Sequence, residues 1–405
     1  MTRQQRIIVV GGGPVGIVTA LACAQRGFAV TLLEAEKEVD CSPRAATTHP
    51  STLEMIASLG IIDEFIASGL VARYFDFWDQ AAHELVARFD HDVLRERTAF
   101  PFVVQTEQHK LVNIGLRHLK QCADVDVRFG AAVTELTQDA SGVTVTVESD
   151  GRTERVSGAF LVGADGGRST VRKKLDIEFE GYTWPERFLV LTTSFDFEKA
   201  IGCSYRSYLA DPVEWGNLFK IAGDDMKGRW RAVFPAPVDV ADEAVMSDEE
   251  AQRRLNRILD LGGETYPLLH RNLYRVHQRV AKSFRVNRVF LAGDASHVNN
   301  PIGGLGLNCG IHDALELADT FALCPDGNAE APVLDRYERR RRTLNIEFVQ
   351  QQTVANKKRL EEKDPAERQR HLADLAATAA DPARHTAFLM RTSLLQSVIQ
   401  SKAID

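Results

Sequence analysis

Apolar residues follow two different patterns along the chain. Short, mainly apolar runs at Ile7–Val10, Phe28–Leu33, Leu161–Ala164 and Val289–Ala292 are typical of parallel strands buried on both faces. The first two runs flank an alanine-rich helical segment. Between about 181 and 285 the pattern changes to β-rich segments separated by glycine, aspartate and proline, which predicts an antiparallel sheet. The chain therefore combines βαβ units with a separate sheet.

A dinucleotide-binding pattern follows the first strand. Gly11, Gly13 and Gly16 form a G-x-G-x-x-G sequence, and the second strand ends in Glu34. In this motif the first glycine permits a tight turn, the second lets the backbone approach a pyrophosphate, and the third lets helix and strand pack closely. The Glu34 carboxylate is placed to accept hydrogen bonds from both ribose hydroxyls. Because a glycine turn in an ordinary βαβ unit leaves Glu34 unexplained, we predict dinucleotide binding.

Two further strands end in an acid that is followed by glycines. One leads into Asp165 and Gly166, and the other leads into Asp294. After Asp294 the chain carries little side-chain bulk through 303–306, and a helix is predicted to begin near Asn308. This arrangement lets a carboxylate bind a polyol while bare backbone and a helix N-terminus lie against a planar, electron-accepting ring. By itself the middle element is typical of an ordinary turn between strand and helix.

The three motifs, in this order, resemble those of the single-component (class A) FAD-dependent aromatic hydroxylases of the para-hydroxybenzoate hydroxylase type. The resemblance covers about the first 350 residues. It implies that the first motif holds the ADP half of FAD, the middle motif serves the FAD pyrophosphate and passing NAD(P)H, and the last motif holds the ribitol and the isoalloxazine. It also implies an α/β fold, with a Rossmann-like FAD-binding domain of the glutathione reductase type, an inserted antiparallel β-sheet substrate domain and C-terminal helices.

These expectations give a domain organisation. We predict a discontinuous FAD-binding domain at 1–75, 100–180 and 285–350, a substrate-binding sheet domain at 76–99 and 181–284, and a C-terminal helical segment at 351–405. Tyr74–Trp78 is expected to join the inserted sheet. Helices are expected from Pro332 onward, with YERRRR at 337–342 as a solvated helix face and a homodimer contact as one role for the last fifty residues.

Matching the chain to the family motifs position by position gives a set of candidate cofactor-binding residues. The set is Gly11, Gly13, Pro14, Gly16, Glu34, Arg44, Gln105, Val133, Asp165, Gly166, Asp294, Gly304, Gly306, Leu307 and Asn308. The resemblance places Arg44 near the flavin and its phosphates, although a surface-loop arginine is an open alternative. It places Gln105 at a helix start against the cofactor's linker, and the backbone of Val133 against adenine. The backbone of Leu307 and Asn308 resembles donors that stabilise negative charge on the reduced ring.

The implied cofactor defines the chemistry. NAD(P)H would reduce FAD, O2 would add to the ring at C4a, and the resulting hydroperoxide is an electrophile. We therefore predict hydroxylation of a small electron-rich aromatic of the phenol, hydroxybenzoate, nitrophenol or hydroxypyridine type. The reaction calls for a tyrosine or histidine that takes the phenol proton, and for exclusion of water. The sequence does not separate NADH from NADPH.

Four residues are candidates for the substrate side of the site: His49, Tyr205, Tyr208 and Pro301. His49 lies five residues after Arg44, and a loop histidine that precedes a helix is the alternative. The two tyrosines lie on the inserted sheet, where either is equally well a half-buried strand side chain. Pro301 resembles the proline that lies beside the flavin and its substrate.

Three more residues have less defined roles. Trp215 and Arg231 are further candidates for the pocket, and the pattern does not settle which face of a strand they occupy. His297, three residues after Asp294, is expected to be structural within its turn.

Composition and charge limit the classes of partner that the chain is expected to bind. The chain has 405 residues and a formal net charge of −7, which argues against nucleic acid or an acidic membrane surface. No apolar run reaches the roughly 18 residues needed to span a bilayer, and the N-terminus enters a strand almost at once. The six cysteines are scattered without C-x-x-C, so we expect reduced thiols and no metal site. A cytoplasmic enzyme is therefore expected.

Two alternatives remain open at this level. The first is a related flavoenzyme, such as a halogenase or a reductase, on the same scaffold. The W-x-W-x-I-P pattern of flavin halogenases is absent, and GYTWPER at 181–187 is only superficially similar. The second is a non-catalytic flavin-binding redox sensor, which would need a partner-binding surface that no motif indicates.

Overall fold

The computed structural model describes residues 5–42, 44 and 46–405. In these residues the strands are Arg6–Val10 (β1), Ala29–Leu33 (β2), Thr47–Thr48 (β3), Leu70–Ala72 (β4), Tyr74–Asp79 (β5), Glu84–Asp90 (β6), Val103–Gln105 (β7), Val125–Arg128 (β8), Ala132–Gln138 (β9), Val143–Ser149 (β10), Arg152–Gly158 (β11), Phe160–Gly163 (β12), Phe179–Thr193 (β13), Arg206–Ala210 (β14), Gly216–Ile221 (β15), Arg229–Pro237 (β16), Leu268–Ala281 (β17), Arg285–Val286 (β18), Val289–Leu291 (β19) and His297–Val298 (β20).

The helices of the same residues are Pro14–Gln25 (α1), Pro50–Ser58 (α2), Ile62–Ala67 (α3), Gln108–Leu119 (α4), Thr170–Lys174 (α5), Phe197–Ile201 (α6), Asp242–Val245 (α7), Asp248–Ile258 (α8), Leu305–Ala322 (α9), Val333–Leu344 (α10), Gln351–Glu361 (α11), Pro365–Ala380 (α12), Pro382–Thr392 (α13) and Leu395–Lys402 (α14). A π-helical turn at Asn345–Gln350 joins α10 to α11, and His91–Leu94 and Gly293–Ala295 are 3₁₀ turns. Among the described residues, no helix combines the length and the apolar character needed to cross a bilayer.

A six-stranded sheet organises the nucleotide-binding part, in the order β18-β19-β12-β1-β2-β8. All neighbours pair in parallel except β18 and β19. Ile7, Ile8 and Val9 of β1 are completely buried, as the uninterrupted apolar run predicts for a strand covered on both faces. Because the carboxyl ends of parallel strands meet at one edge, the residues that follow β1, β2, β12 and β19 lie along the same edge of the sheet.

An eight-stranded sheet, in the order β20-β17-β13-β16-β15-β14-β5-β6, forms the second layer of the molecule. Its pairing is antiparallel except between β14 and β5, which run parallel. The prediction that Tyr74–Trp78 joins this sheet is confirmed, because β5 pairs with both β14 and β6. The sheet begins at Tyr74 in the first excursion of the chain and at Phe179 in the second.

The C-terminal helices cover one face of the eight-stranded sheet. Phe75, Phe77 and Tyr208 of the sheet belong to one buried cluster with Leu372 of α12 and Leu389 of α13. The other face packs against α8 through a separate cluster. The helices predicted beyond Pro332 are therefore present, and they cover one face of the eight-stranded sheet.

The segment 337–342 does not form the solvated helix face that its charge predicts. Tyr337 is completely buried against β19, and Arg341, which faces α9, is 5 % exposed. The Tyr337 hydroxyl donates to the carbonyl of Leu291 at 2.6 Å, and Arg341 pairs with Asp313. A counter-ion on another helix, which the local charge pattern does not show, explains the difference.

Candidate active site

The turn between β1 and α1 is closely packed on one side and open on the other. Gly11 has φ +108°, and a Cβ there would lie 2.4 Å from the carbonyl oxygen of Ala164. A Cβ on Gly16 would lie 1.9 Å from the carbonyl oxygen of Gly11. Gly13 is the N-cap of α1, which continues with Pro14, and a Cβ there would meet no atom within 4 Å. The open side of Gly13 at a helix N-terminus therefore fits a pyrophosphate.

Glu34 follows β2 directly and faces this turn. Its Oε2 accepts a hydrogen bond from the Gly12 N–H, and its Oε1 accepts from the Glu36 N–H at 2.8 Å. Two backbone donors thus fix the half-buried carboxylate. A carboxylate has about four lone-pair sites, so it retains acceptor capacity for hydroxyl groups. This geometry fits the ribose role predicted for Glu34.

The Asp165 carboxylate accepts hydrogen bonds from groups at the start of the helix that follows it, α5. Its Oδ1 accepts from the Ser169 hydroxyl at 2.6 Å, and its Oδ2 accepts from the N–H groups of Thr170 and Val171 at 2.7 and 3.1 Å. Burial raises the pKa of this carboxyl, and the hydrogen bonds oppose that rise. Gly166 next to it has φ +76° and an open side. The Asp165 side chain therefore shapes the turn at the start of α5.

Val133 lies in β9, where it pairs with Val147 of β10. Its side chain is partly buried against the main core. Its backbone thus belongs to the three-stranded sheet β11-β10-β9.

Asp294 lies in the 3₁₀ turn after β19 and differs from Asp165. Its side chain is exposed to solvent, yet it lies deep enough among protein atoms for desolvation to raise the pKa of the carboxyl. His297 and Arg44 lower that pKa through their charges. No hydrogen bond to this carboxylate comes from the described residues. A carboxylate without protein donors at the edge of the sheet fits a polyol such as ribitol.

The helix after this turn begins earlier than predicted. α9 starts at Leu305, with Gly304 as a left-handed N-cap at φ +67°, whereas the sequence predicted a start near Asn308. The difference arises because consecutive glycines, at 303 and 304, adopt positive φ and turn the chain before the apolar pattern shows a helix. The N–H groups of Leu305, Gly306 and Leu307 are consequently the first-turn donors, which have no carbonyl partner one turn earlier.

The Asn308 side chain links the start of α9 by hydrogen bonds to the segment that contains Thr47 and His49. Its Nδ2 donates to the carbonyls of Thr47 and Gly304 at 2.8 and 2.6 Å. Its Oδ1 accepts from the His49 N–H at 2.8 Å. Asn308 is completely buried. The side chain therefore holds two loops of the site together, a function that the sequence analysis did not assign to it.

Gln105 lies in a strand, and the prediction of a helix start is wrong. It is the last residue of β7 and pairs with Thr47 of β3 and Leu70 of β4. Pairing with two distant strands overrides the helical pattern, which begins only at Gln108. The Gln105 Oε1 accepts from the Thr47 hydroxyl at 2.8 Å, and its Nε2 donates to the carbonyl of Tyr205 at 3.4 Å.

Arg44 lies on the surface near Asp294. Its guanidinium forms an ion pair with Asp40 at 2.9 Å and is 62 % exposed. Its carbonyl accepts a hydrogen bond from the buried Arg231 at 2.6 Å. Arg231 thus fixes the loop that carries Arg44, whose charge lies close enough to Asp294 to lower the pKa of that carboxyl.

A buried charge network supports the last motif from behind. Asp313 of α9 accepts from His297 at 2.7 Å, from Arg341 at 2.6 Å and from the Gly293 N–H at 3.0 Å. The cations and hydrogen bonds lower the pKa of Asp313 to about 2 against the opposing effect of burial. His297 is therefore structural, in keeping with the sequence analysis, and the network fixes the glycine that precedes Asp294.

A small cavity lies between the eight-stranded sheet, the glycine turn and the C-terminal helices. Its volume is about 10 Å3, which is room for about one water molecule. Strands, turn and helices all contribute to its lining, which consists of Phe75, Phe77, Arg206, Tyr208, Gly303, Gln352, Asn356, Phe388 and Thr392. The cavity therefore combines an aromatic wall with a few polar groups, as small-molecule sites do.

Tyr208 and Arg206 are the buried polar residues of the strand that lines the cavity. They are 1 % and 2 % exposed. The Tyr208 ring stands edge-on to Phe75 and Phe77 at 4.9 and 5.4 Å between centroids. Burial raises the pKa of Tyr208, whereas Arg206 and the Gly303 backbone lower it. The Tyr208 hydroxyl makes no hydrogen bond of normal geometry within the described chain.

His49 lies one layer behind the cavity wall. It caps α2, is 1 % exposed, and bonds through Nε2 to the carbonyl of Gly303 at 2.8 Å. That bond makes Nε2 the protonated nitrogen, and Nδ1 has no partner in the described structure. Burial and the positive charge of Arg206 lower the pKa of His49 well below its usual value, so the ring is neutral.

The remaining candidates lie outside the cavity lining. Tyr205 precedes β14, and its ring lies under the Lys220 Nζ at 4.7 Å and beside Trp230. Trp230 belongs to the buried cluster on the face of the sheet that packs against α8, whereas Tyr208 belongs to the cluster on the other face. Pro301 is exposed in the turn and accepts from the Gly304 N–H at 2.9 Å. Trp215 packs on Phe188 at 5.3 Å.

Residues 4–352 match the FAD binding domain family. The chain belongs to this family.

The relatives of this family member act on aromatic rings. It is 36 % identical to a para-nitrophenol 4-monooxygenase of Pseudomonas sp. (strain WBC-3) over 405 residues, covering 98 % of each chain. It is 34 % identical to a 6-hydroxy-3-succinoylpyridine 3-monooxygenase of Pseudomonas putida (strain DSM 28022 / S16), covering 91 % of this chain and 92 % of the relative. The crystal structure of a p-nitrophenol 4-monooxygenase from Pseudomonas putida DLL-E4 superposes with a TM-score of 0.89 at 33 % identity, covering 96 % of this chain and 98 % of the other.

These similarities confirm the resemblance, the fold class and the type of activity predicted from the sequence. The protein is a class A flavoprotein monooxygenase that hydroxylates an aromatic substrate with FAD, NAD(P)H and O2. The relatives are monooxygenases, so the halogenase, reductase and sensor alternatives gain no support from them.

The described residues fit FAD at three places. The open Gly13 turn fits the pyrophosphate, Glu34 retains acceptors for a ribose, and Asp294 offers a carboxylate without protein donors. The sequence pattern does not indicate the polar cavity residue Arg206 or the C-terminal contributors to the lining, Gln352, Asn356, Phe388 and Thr392. Arg206 had one signal, since it stands two residues from Tyr208 on a strand and therefore shares its face.

Proposed function

We propose that this monooxygenase hydroxylates a small phenol of the nitrophenol or hydroxypyridine type, bound in the cavity between Tyr208 and Gly303. The observation that carries the proposal is the set of residues around the cavity, since the rings of Phe75, Phe77 and Phe388 surround it next to the turn that leads into α9. The names of the para-nitrophenol 4-monooxygenase and the 6-hydroxy-3-succinoylpyridine 3-monooxygenase support this substrate class. An aromatic wall around one ring favours an aromatic substrate by dispersion and edge-to-face contacts.

For cofactor binding, we propose the residues that the sequence predicted. They are Gly11, Gly13, Pro14, Gly16, Glu34, Arg44, Gln105, Val133, Asp165, Gly166, Asp294, Gly304, Gly306, Leu307 and Asn308. When bound, FAD supplies reduction by NAD(P)H and activation of O2. Within the set, the structure supports direct side-chain roles best for Glu34 and Asp294. For Asp165 and Asn308 it supports positioning roles, because their polar atoms already bond to protein groups.

On the substrate side, we propose that Tyr208 exchanges a proton with the phenol of the substrate. Its hydroxyl lines the cavity and has no partner of normal geometry there. A buried neutral tyrosine both donates and accepts a hydrogen bond, so it can pass the proton of the reacting oxygen. His49 would act through Gly303, whose backbone it fixes, and Pro301 would border the cofactor side of the same turn. The structure supports Tyr205 less, since it lies outside the cavity beside Trp230.

The test is NAD(P)H oxidation by the FAD-loaded protein with a panel of phenols, hydroxybenzoates, nitrophenols and hydroxypyridines. Product masses are measured in parallel. We expect one class to speed NADH or NADPH oxidation and to gain one oxygen. Oxidation that yields only hydrogen peroxide with every compound would contradict the proposed substrate class.

We also propose a homodimer in the cytoplasm. NAD(P)H is an intracellular reductant, and all six cysteines are free thiols. Ile346, Val354 and Ile399 of the C-terminal helical segment are exposed apolar side chains that support a contact there. Light scattering after size-exclusion chromatography would give the mass; a monomer at micromolar concentration would contradict the dimer.

A further inference from the structure

The amide of Gln352 contains a buried polar atom without a partner in the protein. Gln352 lies in the first turn of α11 and is 5 % exposed. Its side chain lines the cavity together with Gly303 and Tyr208. The Gln352 Oε1 is shielded from solvent and accepts no hydrogen bond from the described residues. A buried carbonyl oxygen without a donor destabilises a protein, so its presence requires an explanation.

A second buried glutamine differs from Gln352 in its hydrogen bonds. Gln278 of β17 is 3 % exposed, and its amide is bonded at both ends. Its Nε2 donates to the Thr353 hydroxyl at 3.0 Å, and its Oε1 accepts from the Asn300 N–H at 3.0 Å. Gln278 therefore links β17 to α11 and to the segment after β20. Gln352, next to Thr353 on the same helix, makes no such link, so the fold does not explain its amide.

A second amide lies on the same face of α11. Asn356 follows Gln352 by four residues, about one helical turn, and it also lines the cavity. Its Nδ2 donates to the carbonyl of Ile302 at 3.4 Å. Both side chains are uncharged, and an amide oxygen pairs with an N–H or O–H donor. A ring that enters this small cavity excludes solvent from Gln352, so the ring itself has to supply a donor to the Oε1.

We propose that Gln352 binds an uncharged hydrogen-bond donor of the aromatic substrate, in addition to its phenolic hydroxyl. The inference rests on the proposed function, because it places the same substrate in the same cavity. The donor is either the ring N–H of a hydroxypyridine in its pyridone form or a second hydroxyl, and both present the same chemistry to the Oε1. A nitro group offers only acceptors. Gln352 is thus a specificity-determining residue that favours hydroxypyridines or dihydroxy rings over simple nitrophenols.

The test compares rings that differ by one donor. The dissociation constants of 4-nitrophenol, 2-hydroxy-5-nitropyridine and 4-nitrocatechol are measured by calorimetry with the FAD-loaded enzyme, at a pH where all three ligands are mainly protonated. The second ligand adds a ring N–H to the first, and the third adds a hydroxyl. We expect one of these two to bind about 5- to 30-fold more tightly than 4-nitrophenol, the scale of one hydrogen bond to a buried group. The tighter ligand identifies the source of the donor.

Variants of α11 assign that preference to one side chain. Gln352→Met keeps the length of the side chain, removes the amide and should abolish the preference, whereas Gln352→Glu keeps an acceptor oxygen and should retain part of it. Gln351→Met, at the exposed neighbouring position, is the matched control and should leave the ratio unchanged. An unchanged ratio in Gln352→Met would overturn the proposal. A wild-type enzyme that binds 4-nitrophenol at least as tightly as both other ligands would also overturn it.

Turnover separates a failure of this proposal from a failure of the proposed function. In the wild-type enzyme kcat/KM should favour the preferred ligand over 4-nitrophenol, and Gln352→Met should remove that advantage while kcat with 4-nitrophenol stays close to the wild-type value. If 4-nitrophenol were hydroxylated and the wild-type enzyme showed no such advantage, only the role of Gln352 would be wrong. If the wild-type enzyme hydroxylated none of the three ligands, the proposed function would be wrong as well.

Discussion

Two buried regions of this monooxygenase contain the same kinds of residue in opposite electrostatic states. Behind the last glycine motif, His297 and Arg341 both bond to Asp313, which faces them from α9. At the cavity, His49 and Arg206 have no carboxylate among the described residues around them. In the first region the buried charges are balanced within the protein. In the second region only a bound anion would balance the charge of Arg206.

The difference distinguishes a buried arginine that stabilises the fold from one that is available to bind a ligand. A buried arginine with its counter-ion contributes a fixed geometry, and removing either partner strands the other charge. A buried arginine without one reduces the stability of the protein, so its presence indicates an external anion. Burial and residue type alone do not distinguish the two cases.

The largest effect is expected when the charge network around Asp313 is disrupted. Arg341→Met should lower the free energy of unfolding by about 3–5 kcal/mol, because it leaves the Asp313 carboxylate buried with one cation fewer. Arg206→Met should change it little or raise it, since it removes an uncompensated charge. Urea unfolding followed by tryptophan fluorescence gives both values. Equal losses in the two variants would show that the regions do not differ in this way.

The next prediction concerns the two tyrosines of the same strand region. Tyr208→Phe should lower kcat for hydroxylation about 100-fold, the lower range for a lost proton-transfer group, without loss of FAD. Tyr205→Phe is the matched control and should retain activity, because its ring lies on the other face beside Trp230. Product formation and the flavin content of both variants are measured. If Tyr205→Phe caused the larger loss, the assignment of the cavity would be wrong.

Features of the fold that depend on local sequence signals could be predicted from the sequence. The edge of the six-stranded sheet was predicted because its signals are local: an apolar strand, then an acid or glycine at a fixed step, as at Glu34 and Asp294. The start of α9 was misplaced because it depends on the positive φ of Gly304. Local pattern thus determines which residues stand at a turn, and backbone conformation determines where the helix begins.

Long-range pairing accounts for the features that were missed. Gln105 lies in a strand because it pairs with Thr47, 58 positions away. Arg341 is buried because Asp313, 28 positions away, lies on the facing helix. Arg206 was overlooked because an arginine on a strand usually reaches solvent, and only the covering helices α11 and α13 make it internal. None of these partners lies within the range of a local pattern.

A smaller effect is expected at the nucleotide end of the molecule. Glu34→Ala should weaken FAD binding by about 1–3 kcal/mol, the scale of lost hydrogen bonds to a carboxylate. Glu36→Ala, two residues later and exposed, is the control and should bind FAD normally. Titration of the flavin-free protein with FAD gives both affinities. A Glu34→Ala variant with unchanged affinity would contradict the ribose assignment.

The smallest effect tests whether a buried, uncharged histidine behind α2 weakens the fold in acid. Burial lowers the pKa of His312, which lies between Ser51 and Thr52, to about 3. Because the unfolded chain takes up a proton near its ordinary pKa of about 6.5, the folded state loses stability as pH falls below that value, down to about 3.

His312→Gln should therefore reduce the loss of unfolding free energy between pH 7.5 and 5.5 by about 1 kcal/mol. His270→Gln, which removes an exposed histidine, should leave that loss unchanged. Urea unfolding at the two pH values measures it in each variant. If His312→Gln kept the full acid sensitivity, folding would not lower the pKa of His312, and this account of its burial would be wrong.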